Sequence, residues 1–172
     1  FWNPVVAQRV SHILPNVKLI VLLRNPIDRA YSHFNNAVRN GVEKSSFEEQ
    51  IKKELEMQKS YNKENLERFF KQPSYLALST YVDQLEIWTK LFKWKQFLII
   101  STEDLEKNPI PTLNIVFKFL GLPEYDIKNP QKRKAANYEK MNPKTREMLI
   151  QYFKPHNERL YKMIGRRFDW DK

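Results

Sequence analysis

The sequence predicts an α/β protein with a parallel sheet core flanked by helices, and three observations support this. Residues 18–23, after Lys18, and 97–100 are nearly unbroken apolar runs, the pattern of short strands buried on both faces of a parallel sheet. Helical apolar periodicity lies before, between and after these runs, an order that layers helices over a sheet. Punctuation agrees: Asn3-Pro4 and Asn142-Pro143 read as helix starts, and Gly41, Gly121 and Gly165 as helix stops. A length of 172 residues suits one domain, 1–172, with a real core.

In chain order, Asn3 caps a short helix that has Pro4 at its first position. Val5, Val6, Val10, Ile13 and Leu14 supply its apolar side, and Pro15-Asn16 end it. The first strand, 18–23, contains β-branched Ile20 and Val21 and breaks at Arg24-Asn25-Pro26. Pro26 cannot donate to a sheet ladder, but its fixed φ suits a first helical turn. Asp28 stands where negative charge favours a helix N-terminus. Ala30, Tyr31, Phe34, Ala37 and Val38 then recur at helical spacing as far as Gly41. The unit is strand, tight turn and helix, with an arginine at the strand's carboxyl end.

Ser46-Phe47-Glu48-Glu49 has the form of a capping box. The helix it opens carries Phe47, Ile51 and Leu55. Residues 52–68 alternate in charge, as a solvated helical face does. Over 75–92, Leu78, Tyr81, Val82, Leu85, Trp88 and Phe92 form one broad helical stripe suited to a core. The second strand ends in Ser101-Thr102-Glu103-Asp104-Leu105. Its acids suit the start of a short helix, with a metal site as the competing idea. A helix over 111–120 faces inward through Leu113, Val116, Phe117 and Leu120, and a loop covers 122–140. Two short helices broken at Pro155 then follow Asn142-Pro143. Met148, Leu149, Tyr152, Phe153, Leu160, Tyr161 and Ile164 face inward from them. The tail 167–170 packs back on the domain.

Composition narrows the classes. Hydrophobic residues make up 41% and aromatics 13%, which excludes a disordered chain. No apolar run approaches the roughly 18 residues that a membrane-spanning helix needs. No secretory signal precedes the first helix, and a chain opening on Phe1-Trp2 reads as a piece of something longer. Cysteine is absent, so there is no disulfide framework, thiolate nucleophile or cysteine metal site. A net charge of +10 attracts anions without choosing among nucleic acid, acidic membrane, sulfated sugar and phosphorylated nucleotide.

Ligands of open α/β sheets bind outside the carboxyl ends of the strands, where Arg24 stands. A guanidinium grips phosphate with two parallel hydrogen bonds, and a helix N-terminus beside it attracts anions. Ser32, about two turns into the helix, adds a hydroxyl. The competing reading pairs Arg24 with Asp28 and makes Ser32 a packing residue.

The string Arg24-Asn25-Pro26-Ile27-Asp28-Arg29-Ala30-Tyr31-Ser32-His33-Phe34 resembles the 3′-phosphate-binding segment of a known family. These are the sulfotransferases that use 3′-phosphoadenosine 5′-phosphosulfate (PAPS). Residues 152–161 also resemble the C-terminal end of bacterial-type and heparan-type members. The resemblance implies a P-loop nucleotide-kinase-like sulfotransferase fold, with this chain as its C-terminal portion. It implies that Arg24 and Ser32 hold the 3′-phosphate of PAPS or of its product, 3′-phosphoadenosine 5′-phosphate (PAP).

Lys132, Arg133 and Lys134 match the family's late basic loop over the nucleotide phosphates, though the glycine common there is missing. A solvated charge cluster is the other reading of these three. Where the family has a glycine near the helix start at 79–81, this chain has Ser79-Thr80-Tyr81, and Tyr81 is read as core or as a neighbour of the nucleotide. The charged stretch 52–68 falls where the family carries variable, substrate-facing lids.

The implied reaction moves a sulfuryl group from PAPS to a hydroxyl or amine of a carbohydrate or small molecule. The alternatives are a non-catalytic nucleotide- or glycan-binding fragment and a basic nucleic-acid-binding domain, nucleic acid being the less favoured partner. The family's glycine-rich 5′-phosphosulfate loop has no counterpart in a chain with three glycines. No catalytic base is assigned: His33 is set about 100° from Ser32 around the helix, and His12 and His156 read as packing or surface residues. The lack of cysteine favours a cytoplasmic over a Golgi relative, without deciding the compartment.

Overall fold

The computed structural model describes residues 3–59, 74–128 and 138–170. The described elements are α1 (Pro4–Ile13), β1 (Leu19–Leu23), α2 (Pro26–Arg39), α3 (Phe47–Lys59), α4 (Tyr81–Thr89), β2 (Phe97–Ser101), α5 (Thr102–Lys107), α6 (Pro109–Leu120) and α7 (Pro143–Ile164). Single 3-10 turns occupy Ala77–Ser79 and Trp94–Gln96. The architecture is mixed α/β with a small parallel sheet. β1 pairs with β2 in parallel, in a register running from Leu19 opposite Phe97 to Leu23 opposite Ser101. Both strands therefore end side by side, and Arg24 and Glu103 emerge at the same edge.

Local chemistry sets several element ends. Asn3 Oδ1 accepts from Val5 N–H at 2.9 Å and caps α1. The predicted capping box opens α3: Glu49 N–H donates to Ser46 Oγ at 3.2 Å, and Ser46 N–H to Glu49 Oε2 at 2.9 Å. Gly121 and Gly165 end α6 and α7 at φ +77° and +66°, a left-handed conformation that suits glycine.

Two hydrophobic clusters form the core, and α7 serves both. Leu149 and Phe153 join Ile27, Phe34, Ile51 and Leu76 in one. Leu160 and Tyr161 join Val21, Leu23, Leu85, Trp88 and Trp170 in the other, so the tail does pack back on the domain. This shared packing explains why α7 runs unbroken through Pro155, where the sequence suggests two helices. Proline removes one N–H donor, but burial on both sides of it holds the two halves in line.

Other expectations are corrected by burial. Val21 and Leu23 are buried, whereas Ile20 and Leu22 are 39% and 50% exposed, so β1 is covered on one face only among the described residues. In α1 it is Ala7 that is buried, while Val5, Val6, Ile13 and Leu14 are exposed. In α6 the fully buried side chain is Thr112; Leu113, Val116, Phe117 and Leu120 are half-buried. Met148 in α7 is exposed.

The stripe over 75–92 is not one helix but a 3-10 turn followed by α4. Ser79 Oγ donates to the Tyr75 carbonyl at 2.7 Å, and Thr80 Oγ1 to the Leu76 carbonyl at 3.0 Å. These hydroxyls, with the Gln84 amide on the carbonyls of Ala77 and Leu78, compete with the helical ladder. No helix among the described residues is long and apolar enough to cross a membrane.

Candidate functional site

The site is built at the turn between β1 and α2. Asn25 is buried there and ties several parts of the chain together. Its Oδ1 accepts from Ile27 N–H at 3.0 Å, capping α2. Its Nδ2 donates to the Trp170 carbonyl at 3.3 Å, and its backbone N–H to Glu103 Oε1 at 2.7 Å. Besides Asp28 in its own first turn, α2 thus has at its start a carboxylate from just beyond the neighbouring strand, which the paired register brings alongside. Glu103 serves the other helix, while Asp104 pairs with Arg166. The anion-attracting end of α2 is therefore already supplied by the protein. Groups that face open space lie instead along the helix's flank.

A cavity of about 570 Å³ lies on that flank, within the range of small-molecule sites. Arg24, Arg29, Ser32, His33, Asn36 and Arg39 line it, together with Tyr138 from the far end of the chain. Positions 29, 32, 33 and 36 share one helical face, by the i, i+3, i+4 rule. The two residues singled out in the sequence, Arg24 and Ser32, meet in this one cavity. Among the described residues its lining holds three arginines and no carboxylate. A neighbouring cavity of about 430 Å³ shares Asn35 and Val38 with it but carries Glu48 and Glu139.

Asp28 does not pair with Arg24. Its Oδ1 accepts from Arg146 Nη1 at 2.7 Å, which ties α2 to α7. No ion pair holds the Arg24 guanidinium among the described residues. Arg29 Nη1 donates to Ser79 Oγ at 3.3 Å, and burial pulls its pKa down against the smaller opposing effect of Tyr81. The Tyr81 hydroxyl donates to the Arg24 carbonyl at 3.0 Å, and burial pushes its pKa up to about 12. Tyr81 packs against the core and lines a separate cavity of about 270 Å³ beside β1. It holds Arg24 through the backbone.

His33 stacks edge-on against Tyr75 at 5.0 Å, and its Nδ1 is buried without a hydrogen-bond partner among the described residues. Burial, then Arg29, lowers its pKa, which favours the neutral ring. Two lining residues are not singled out for the site from the sequence: Arg29 stands three before Ser32, where helical spacing finds it, and His33 is reached as the fourth residue after Arg29. Lys132, Arg133 and Lys134 lie outside the described residues, as does most of the charged stretch after Lys59.

Comparison with known proteins bears on the whole chain. Over 95 residues it is 35% identical to the membrane-associated sulfotransferase kil1 of Dictyostelium discoideum, covering 55% of this chain and 20% of that protein. It is 25% identical over 194 residues to the human heparan sulfate glucosamine 3-O-sulfotransferase 5, covering 99% of this chain and 54% of that protein. The chain thus spans between a fifth and about half of these relatives. A sulfotransferase crystal structure from Alicyclobacillus acidocaldarius superposes with a TM-score of 0.80 at 27% identity, covering 99% of this chain and 64% of that one. The sulfotransferase domain profile matches residues 3–172. With the family's profile running through every described element, the chain belongs to the sulfotransferase domain family.

Proposed function

We propose that this chain carries the 3′-phosphate subsite of a PAPS-dependent sulfotransferase whose acceptor is a carbohydrate or small molecule with a hydroxyl or amine. The observation that supports this is the meeting of Arg24 and Ser32 in a cavity lined, among the described residues, by three arginines and no carboxylate. That donor set fits a phosphate monoester, which offers only acceptor oxygens and negative charge near neutral pH. When bound, the nucleotide supplies the activated sulfuryl group. The chain's own residues bind and orient it. Arg24 grips two phosphate oxygens in parallel, and Ser32 donates to a third. Tyr81, on the Arg24 carbonyl, and Glu103, on the Asn25 N–H, hold the backbone on either side of the Arg24–Asn25 bond, so the guanidinium starts from a fixed point.

In the same reading, residues 1–172 are one unit, the C-terminal portion of a P-loop nucleotide-kinase-like sulfotransferase fold. Lys132, Arg133 and Lys134 neutralise phosphate charge from the loop. Cationic side chains stabilise charge developing on the leaving phosphate.

A calorimetric titration of the folded chain with PAP, with AMP as control, tests the subsite, because the two ligands differ by the 3′-phosphate. The expected result is tighter binding of PAP, and an Arg24→Ala variant that loses PAP affinity far more than AMP affinity. Equal losses for both ligands would remove the assignment.

A further inference from the structure

We propose that Arg29 is a second arginine for the nucleotide's 3′-phosphate, approaching from the helix flank while Arg24 approaches from the strand end. The proposal rests on the reading of the cavity given above.

Position is the first argument. Arg29 lies one turn before Ser32 on the same face of α2 and shares the cavity with Arg24 and Ser32. Its bonding state is the second. Among the described residues its side chain makes one hydrogen bond, the 3.3 Å contact to Ser79 Oγ, at the long end for such a bond. Ser79 gives its own proton to the Tyr75 carbonyl, so it meets Arg29 as a neutral acceptor. A guanidinium has five N–H donors, and most of these remain to be used. Four arginines away from the cavity behave differently: Arg146, Arg159, Arg166 and Arg167 each reach a carboxylate. No such partner meets Arg29 among the described residues. A half-buried cation without a counter-charge is costly to keep, and an incoming anion removes that cost.

Ligand chemistry is the third argument. A phosphate monoester carries about −1.5 to −2 charge at pH 7 and three terminal oxygens. One guanidinium matches two oxygens and one charge. Arg29 supplies the second charge, and Ser32 shares the remaining oxygen. On this view the site selects a phosphate monoester over a singly charged diester.

The test measures PAP and AMP binding by calorimetry, and thermal unfolding without ligand. It uses the 172-residue chain and its Arg24→Ala, Arg29→Met, Arg29→Gln, Arg29→Lys and Ser79→Ala variants. Arg29→Met and Arg29→Gln are each expected to weaken PAP binding roughly 10- to 100-fold, the size of a charged hydrogen-bonded contact, with AMP much less affected. Their unliganded melting temperatures should be no lower than the parent's. Arg29→Lys should recover part of the loss through its point charge, and Ser79→Ala should bind PAP as the parent does.

If Arg24→Ala loses PAP binding while both neutral Arg29 variants keep it, Arg29 is not part of the phosphate site and the cavity reading stands. If the parent shows no PAP preference, or Arg24→Ala keeps it, the cavity reading and this proposal fall together. If both neutral variants fail to fold, Arg29 is a structural residue and the proposal is overturned.

Discussion

The hydroxyl of Tyr81 donates to the backbone carbonyl of Arg24 at 3.0 Å, joining the first residue of α4 to the residue that leaves β1. The bond spans a sequence separation of 57 and fixes the main chain from which the Arg24 guanidinium enters the cavity. Tyr81→Phe keeps the ring and removes the bond. It should lower unfolding free energy by about 1 kcal/mol, read by urea denaturation. It should also weaken PAP binding several-fold. Unchanged PAP affinity would show that packing alone positions Arg24.

The raised pKa of the same phenol has a pH signature. Its folded value is about 12 against an ordinary value of 10, chiefly through burial. The contribution to stability is thus complete below pH 10 and lost as pH climbs towards 12. In an absorbance titration of the native chain, Tyr81 should ionise after the exposed tyrosines, and Tyr81→Phe should shrink that late phase, to which Tyr75 and Tyr152, also raised by burial, contribute the rest.

Histidine acts at the other end of the scale. Burial lowers the pKa of both His33 and His156, and each has a buried Nδ1 without a hydrogen-bond partner among the described residues. Depressed folded-state values mean that the unfolded chain takes up protons first. Stability is full above the ordinary histidine value of about 6.5 and declines as pH falls below it. The urea midpoint should drop between pH 7.5 and 5.5. The paired His33→Gln, His156→Gln variant should flatten that slope, and an equal slope in both chains would assign the acid sensitivity elsewhere.

Glu54 gathers three donors at the 3-10 turn. Its carboxylate accepts from Ser74 Oγ at 2.6 Å, Tyr75 N–H at 2.7 Å and Leu76 N–H at 2.9 Å. Burial raises its pKa, and the three bonds act against that rise. Glu54→Ala strands these donors in a half-buried place and should cost about 1–3 kcal/mol in urea unfolding. Glu54→Gln retains one acceptor and should cost less. The reverse order would mean that the charge harms the turn more than its bonds help.

The Asp28–Arg146 pair joins α2 to α7 at 2.7 Å, with side chains 38% and 34% exposed. Solvent screens such a pair, so a double-mutant cycle should return about 0.2–1 kcal/mol. That coupling should shrink in 1 M salt. A larger, salt-independent value would require a drier contact than this one.

Legibility in the chain follows the range of the interaction that decides each outcome. Asn3, the Ser46–Glu49 box, Gly121 and Gly165 act within a few residues, and each is readable from its neighbours. Both strands, too, announce themselves by apolar runs. Their parallel pairing follows from the helices between them. Coverage is not local: nothing in residues 18–23 says which elements pack on them, so exposed Ile20 and Leu22 could not be anticipated. Pro155 carries a strong local signal that packing on both sides overrides. The candidate site divides in the same way. Arg24 and Ser32 stand out by their string, whereas Arg29 owes its setting to Ser79, a contact with a sequence separation of 50.

Trp170 gives the turn an optical reporter. This indole is 3% exposed and stacks on Phe168 at 4.3 Å, while its carbonyl accepts from Asn25 beside Arg24. A rearrangement at the strand end has a hydrogen-bonded route to a fluorophore that is one of four tryptophans in the chain. Emission from Trp170, isolated by replacing Trp2, Trp88 and Trp94 with phenylalanine, would therefore register movement of the turn without any label.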